Sequence, residues 1–356
     1  MQGEQREKQT ILVTGGAGFI GGNFVLATVG DFRVVNLDAL TYAGNPDTLA
    51  PVSDNPDHVF VHGRIGDREL LDRLLAEFRP SAVINFAAET HVDRSIDGPK
   101  AFVQTNVVET HELLEAALSY WGVLEGEEHD AFRFLHVSTD EVYGPLLEGA
   151  ATEDYPLRPT VPYAASKAAS DLIALSYWQT YGAPVCVTRS SNNFGPCQHP
   201  EKIIPLFVTR LLCGEQVTLH DQGQHMRNWL HVEDNCAGIE LVLRAGVPGQ
   251  AYNIGGGTDL SSKELTGELL RICGADWDRV TYIPDRLSND LRYAMNWGKL
   301  AALGYKPAHD FQAGLEETAD WYRRNADRWA PLSRSSLPAM PSPRTVATSE
   351  KERQHA

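Results

Sequence analysis

Six short apolar runs recur through the first 191 residues: "ILVT" (11–14), "RVVNLD" (33–38), "HVFVHG" (58–63), "SAVINFAA" (81–88), "FRFLHVST" (132–139) and "PVCVTRSS" (184–191). They are continuous rather than alternating, which is the pattern of strands buried on both faces. Between them lie "FIGGNFVLATVG", "DRELLDRLLAEFRP", "AFVQTNVVETHELLEAALSYW" and "SKAASDLIALSYWQTYG", whose apolar residues recur every three to four positions. Strand and helix in alternation predict an α/β fold, a doubly wound parallel sheet covered by helices on each side.

Beyond "NNFGP" the alternation loosens. A helix at "IIPLFVTRLLCGE", strands at "QVTLH" and "AYNIGG", a helix at "SSKELTGELLRICG", a strand at "VTYIP" and a helix at "FQAGLEETADWYRRN" predict a smaller α+β region. The expected division is a nucleotide-binding domain over 1–195, with a returning segment near 221–250, and a substrate domain over 196–330. From about 331 the chain is rich in Pro, Ser and charge without periodicity, and a disordered tail is expected.

Composition narrows the class. The 356 residues are 42% apolar and 22% charged, with a net charge of −16. That charge disfavours non-specific attraction to nucleic acid or anionic membrane. No run of about 18 apolar residues indicates a membrane span. The N-terminal "MQGEQREKQT" lacks the apolar core of a signal peptide, and the five cysteines are odd in number without a CxxC pair. A cytoplasmic location without a structural metal is the expectation.

Three motifs carry chemistry. Gly15, Gly18 and Gly21 follow the first strand and open the first helix, where glycines allow a tight turn and a pyrophosphate can rest on the helix N-terminus. Asp38 ends the second strand, placed to accept from both hydroxyls of an adenosine ribose and to repel a 2′-phosphate; NAD is therefore expected over NADP. "YAASK" sets Tyr163 and Lys167 one helical turn apart. A neighbouring ammonium and a positive nicotinamide ring would lower the Tyr163 pKa and make it a base. "STDEVYG" adds adjacent acids, Asp140 and Glu141, after the fifth strand. They are either loop decoration, a helix cap, or an acid and base at work.

Together, "NFAAETHVDRS", "STDEVYG" and "YAASK" resemble the extended short-chain dehydrogenase/reductase family. "LDALTYAGN", "RSSNNFGPCQHPEKIIPLF", "RNWLHVEDN" and "DRLSNDLRYAMN" are similar, more narrowly, to nucleoside-diphosphate-glucose 4,6-dehydratases, with dTDP-glucose as the implied substrate. The resemblance runs from about 10 to 325. It implies C4 oxidation, elimination of water across C5 and C6, and C6 reduction with bound NAD. Tyr163 would take the 4-hydroxyl proton, Lys167 hold the nicotinamide ribose, Thr139 bind the 4-oxygen, Glu141 remove the C5 proton and Asp140 protonate the departing C6 hydroxyl. Another sugar-nucleotide dehydratase or a 4-epimerase would share the cofactor site and the Tyr–Lys pair.

The resemblance also implies contacts. For NAD these are Gly15, Gly18, Phe19, Ile20, Gly21, Asp38, Ala39, Leu40, Thr41, Gly44, Arg64, Ile65, Ala87, Ala88, Glu89, Thr90, Thr105, Tyr163, Lys167 and Asn193. For the nucleoside-diphosphate sugar they are His91, Thr139, Asn192, Lys202, Ile203, Thr218, Leu219, His220, Arg227, Asn253, Asp285 and Asn289. Arg227 is the natural diphosphate partner, since a guanidinium forms forked bonds to phosphate oxygens. A homodimer through helices 101–121 and 164–181 is implied as well. The chain departs from the family pattern at Ala39, Arg64, His220 and Asn289. Arg64 replaces an acid expected to accept from the adenine amino group, and an arginine has no acceptor.

Overall fold

The computed structural model describes residues 8–285 and 288–333. Each apolar run forms a strand: β1 (Thr10–Thr14), β2 (Arg33–Asp38), β3 (His58–His62), β4 (Ala82–Asn85), β5 (Arg133–Thr139) and β6 (Val185–Ser190). They are joined by β10 (Ala251–Ile254) in one parallel sheet of order β10-β6-β5-β4-β1-β2-β3. The order reverses beside β1, and such a switch point opens a crevice at the carboxyl ends of the strands.

Alternate side chains of one strand serve opposite cores. Ile11 and Val13 pack with Phe24 and Val25 of the helix Phe19–Thr28 and with Ile239 and Val242 of the helix Val232–Ala245. Leu12, between them, faces Leu71, Leu75, Leu113 and Leu114 on the other side, from helices Arg68–Phe78 and Thr110–Trp121. The strands read as unbroken apolar runs because both faces are covered.

A smaller body builds on β7 (Asn192–Phe194), β8 (Val217–His220), β9 (Met226–His231), β11 (Thr258–Ser261) and β12 (Val280–Ile283). They make a three-stranded sheet, β11-β9-β7, and a two-stranded one, β12-β8. Their core joins Phe194, Ile204, Phe207, Trp229, Leu265, Leu269, Leu315 and Tyr322. The chain crosses back when the helix after β9 packs on Phe19–Thr28 and β10 joins the large sheet. Most of the tail expected from 331 lies outside the described residues, and the helix Ala326–Ser333 covers its first positions.

The long helix expected over 101–121 is interrupted by a π-type stretch, Val103–Glu109. The wider turn aims Asn106 back at the chain, where it accepts from the Glu89 amide at 2.8 Å and donates to the Glu89 carbonyl at 3.0 Å. Such bulges concentrate at functional sites.

Beneath the sheet's carboxyl edge lies a buried polar network. Arg189 Nε donates to Asp171 Oδ2 at 2.9 Å, and Arg189 Nη1 donates to the Tyr143 hydroxyl at 2.9 Å. Removing one partner strands the other charge in the core. Asp171→Ala is expected to lower unfolding free energy by about 3–5 kcal/mol, measured by urea denaturation; a loss below about 1 kcal/mol would show that the pair is not holding the helix to β6.

Candidate active site

The helix Phe19–Thr28 starts at Gly18 with no side-chain cap and no acid in its first turn, so its leading amides remain available to an anion. Gly15 sits at φ +70, and a Cβ there would lie 2.6 Å from the Ala87 nitrogen. At Gly21 a Cβ would lie 2.3 Å from the Gly15 carbonyl oxygen. The turn therefore exists only with glycine at both positions. Asp38 accepts from Ala17 N at 2.8 Å and from Leu40 N at 2.7 Å, which holds its carboxylate at the rim.

These residues line an open cleft that runs on to the acids and the Tyr–Lys pair. The structure brings together Gly15, Gly18, Phe19, Ile20, Gly21, Asp38, Ala39, Thr41, Gly44, Arg64, Ile65, Ala87, Ala88, Glu89, Thr90 and Thr105 with Thr139, Asp140, Glu141, Tyr163, Lys167, Asn192, Asn193 and Lys202. Asn192 Oδ1, Asn193 Oδ1 and Ser191 Oγ are buried along this wall without a hydrogen-bond partner among the described residues. Unpaired acceptors of that kind are costly unless a ligand meets them, and with the glycine cradle they fit a dinucleotide.

At the inner end, Thr139 caps a single 3-10 turn, Asp140–Tyr143, by accepting from Glu141 N at 3.3 Å. Its hydroxyl donates to Asp140 Oδ1 at 3.3 Å. Burial, then the neighbouring Glu141 charge, pushes the Asp140 carboxyl up to about 7, so it holds a proton near neutrality. The cap and the acid pair are thus one feature, since the turn that Thr139 caps is what presents both carboxyls.

Tyr163 and Lys167 stand on the first turns of the helix Pro162–Tyr181, buried in the same wall. Lys167 Nζ donates to the Val137 carbonyl at 2.7 Å and lies 3.4 Å from His136 Nε2. Burial lowers its pKa to about 8. Within the protein alone, Tyr163 does not have the lowered pKa expected with a bound nicotinamide ring. Burial and the Glu141 and Asp140 charges raise it well above the ordinary phenol value, and only the Thr139 hydroxyl opposes them locally.

Several expected contacts fall elsewhere. Asn253 is fully buried and occupied internally: its Oδ1 accepts from the Tyr143 hydroxyl at 2.7 Å, and its Nδ2 donates to the Ala151 and Asn296 carbonyls at 3.0 and 2.9 Å. It braces the core and is not a substrate ligand. Leu40 turns its side chain to the core and serves the loop through its backbone, at φ 47. Leu219 is buried in the smaller body, and Ile203 packs against that body's core. His91 caps the helix Val92–Asp97, accepting from Arg94 N at 3.3 Å, and lies 3.7 Å from Glu201. Thr218 and His220 stand on β8, with His220 Nδ1 3.0 Å from the Pro284 carbonyl. Arg227, by contrast, stays close enough to the acids for its charge to act on Asp140; stacked 4.4 Å over Tyr293, it donates to Asn289 Oδ1 at 3.3 Å, and Asn289 donates to Asp285 at 2.8 Å.

The residues that hold the walls carry no motif in the sequence. Glu201, its side chain 4% exposed, accepts from the Tyr42 hydroxyl at 3.1 Å and pairs with Arg94 at 3.5 Å. Arg94 in turn lies 3.7 Å above the Tyr42 ring. This ties the loop after β2 to the strip 199–202. Glu109 and Asn106 were hidden inside a helical pattern, and a buried acid in such a pattern was the one available signal.

The Asp140 shift makes stability depend on pH. Its folded-state pKa, about 7, lies above the ordinary carboxyl value, so the folded chain binds that proton more tightly than the unfolded chain. The stability this lends is complete below the ordinary carboxyl range and is lost as pH rises through about 7. Asp140→Asn is therefore expected to gain on wild type between about pH 4 and pH 8 and to stay level above. Thermal midpoints across that range test this, and a pH-independent difference would refute it.

Residues 12–318 match the family described as GDP-mannose 4,6 dehydratase. A dTDP-glucose 4,6-dehydratase of Xanthomonas campestris pv. campestris is 51% identical over 328 residues, 89% of this chain and 93% of that protein. A dTDP-glucose 4,6-dehydratase from Streptomyces venezuelae, solved with NAD bound, superposes with a TM-score of 0.86 at 50% identity, over 91% of this chain and all of that one. A UDP-glucose 4-epimerase of Thermus thermophilus in complex with NAD gives 0.80 at 30% identity, over 89% of this chain and all of that one. The doubly wound sheet, the glycine cradle and the acid-bearing turn beside a Tyr–Lys pair thus have one setting, and the chain belongs to the nucleotide-sugar 4,6-dehydratase family within the extended short-chain dehydrogenase/reductases.

Proposed function

We propose that this chain is a dTDP-glucose 4,6-dehydratase that works with NAD as a resident cofactor, releasing water and a 4-keto-6-deoxy sugar nucleotide. The observation that carries it is the Thr139-capped turn, which sets two carboxyls, Asp140 and Glu141, against Tyr163 in one cleft, with burial pushing the Asp140 carboxyl up to about 7. Oxidation alone needs only the Tyr–Lys pair. Elimination needs an acid and a base besides, because a C–H proton must leave as a hydroxyl is protonated.

The glycine cradle, the uncapped helix start and Asp38 would hold the dinucleotide. The chemistry a dinucleotide held there would supply is acceptance of a hydride from C4 and its return to C6. Tyr163 takes the proton of the 4-hydroxyl, with Thr139 hydrogen-bonded to the same oxygen. Its raised pKa makes it a strong base once ionised, and the cation nearest in sequence, Lys167, is held in place by Val137. Glu141 removes the C5 proton, made acidic by the adjacent ketone. Asp140 gives its proton to the C6 hydroxyl, and its pKa of about 7 suits an acid used near neutrality. Arg227 and Lys202 meet the diphosphate.

The enzyme acts as a homodimer in the cytoplasm. Val103, Val108 and Leu172 are 50%, 43% and 59% exposed on the paired helices, an apolar surface suited to a twofold helical contact. All five cysteines are free thiols, which fits a reducing compartment.

Incubation of the chain with dTDP-, UDP-, GDP- and CDP-glucose, without added reductant, tests the activity. The base-induced absorbance of a 4-keto-6-deoxy product is expected with dTDP-glucose, and a 4-epimer as sole product would overturn the reading. Glu141→Gln and Asp140→Asn should each lower kcat by roughly 10²–10⁴-fold. In Glu141→Gln, single-turnover absorbance near the NADH band should still rise, because C4 oxidation does not use that acid.

A further inference from the structure

Past Asp38, the cleft continues along the carboxyl ends of β2 and β3. Its wall there is made by Gly63, Arg64, Ile65, Ala87, Thr105 and Glu109. In this topology the pyrophosphate lies at the glycine turn and the ribose at the acid ending β2, so the base of the dinucleotide comes next. Arg64 has no acceptor to offer an amino group there.

The structure supplies one from another element. Arg64 Nε and Nη2 both donate to a single oxygen, Oε1 of Glu109, at 3.1 and 2.7 Å, and Nη2 lies 3.4 Å from Thr105 Oγ1. Glu109 ends the π-type stretch, its side chain 8% exposed, whereas Arg64 is 51% exposed. Gly66 makes room for it: a Cβ at that position would lie 2.7 Å from Glu109 Cγ. Oε2 of Glu109 and Nη1 of Arg64 have no hydrogen-bond partner among the described residues. The pair therefore presents an acceptor and a donor to the part of the cleft that a purine would occupy.

We propose that Glu109, positioned by Arg64, selects adenine in the dinucleotide. Oε2 accepts from the 6-amino group, and the guanidinium donates to a neighbouring ring nitrogen. A 6-oxo purine presents a carbonyl where the amino group was, so it would set a lone pair against the Glu109 carboxylate. The Arg64–Glu109 pair thereby replaces a lone acid in the loop after β3 with an acid on the helix, aligned by a cation. This rests on the NAD reading above, and it concerns the base alone.

The test is a competition for the full chain. Protein is equilibrated with equal concentrations of NAD and nicotinamide hypoxanthine dinucleotide and passed through gel filtration, and the retained dinucleotides are released and quantified by chromatography. Wild type is expected to retain NAD in about 10- to 100-fold excess, the range spanned by a hydrogen bond to a charged group. Glu109→Gln, whose amide both donates and accepts, should bring the ratio to within about threefold of unity. Arg64→Ala should lower the preference several-fold by releasing the carboxylate, and its exposed site keeps the test valid if Glu109→Gln folds poorly. Equal retention by wild type, or full preference in Glu109→Gln, would overturn this proposal alone. Retention of neither dinucleotide by wild type would overturn the NAD reading, and this proposal with it.

Discussion

The ammonium of Lys167, buried and bonded to the Val137 carbonyl at 2.7 Å, is the contact on which the site's geometry depends. It fastens the first turns of the helix Pro162–Tyr181 to the last residues of β5. Tyr163 is one turn up that helix, and Thr139, Asp140 and Glu141 follow directly from that strand. One hydrogen bond between helix and strand thus sets the phenol against the two acids. Burying the ammonium is costly, and its lowered pKa of about 8 records the cost. Asp171, four residues further along, offsets part of it.

The layer beneath is polar as well. His136 is fully buried, and its Nε2 lies 3.0 Å from Ser170 Oγ while its Nδ1 accepts from Asn85 Nδ2 at 3.2 Å. Burial holds its imidazole neutral. Arg189, Tyr143 and Asn253 extend the same network to β10 and to the loop around Ala151. Such a layer stabilises less than an apolar one would, but each member has only one arrangement that satisfies its partners. Rigidity under the catalytic wall is the physical return, since an acid and a base misplaced by an ångström would lose their alignment with one sugar carbon each.

The departures from the family pattern are local. Arg64 pairs with Glu109 from a neighbouring helix, and Asn289 enters a chain of side chains running from Arg227 to Asp285 and His225. The bridging acid is invisible in a linear reading because the Arg64–Glu109 contact spans 45 positions.

The large sheet was legible in the sequence because its strands are buried on both faces, which writes them as unbroken apolar runs with helical periods between. The glycine cradle, Asp38, the acid pair and the Tyr–Lys pair were legible too, since each is a short-range pattern set by one turn or one helical step. What the sequence did not reveal depends on contacts across the fold. Asn253 looked like a ligand but is saturated by Tyr143, Ala151 and Asn296, and the burial and two carboxyls that oppose ionisation of Tyr163 come only with packing. Glu201 and Glu109 gained their roles only when loops and helices far apart in the chain met. Local periodicity and spacing determine which elements and reactive groups exist; solvent exclusion and long-range pairing, which arise only in the packed structure, decide the charge each group carries and the partner it serves.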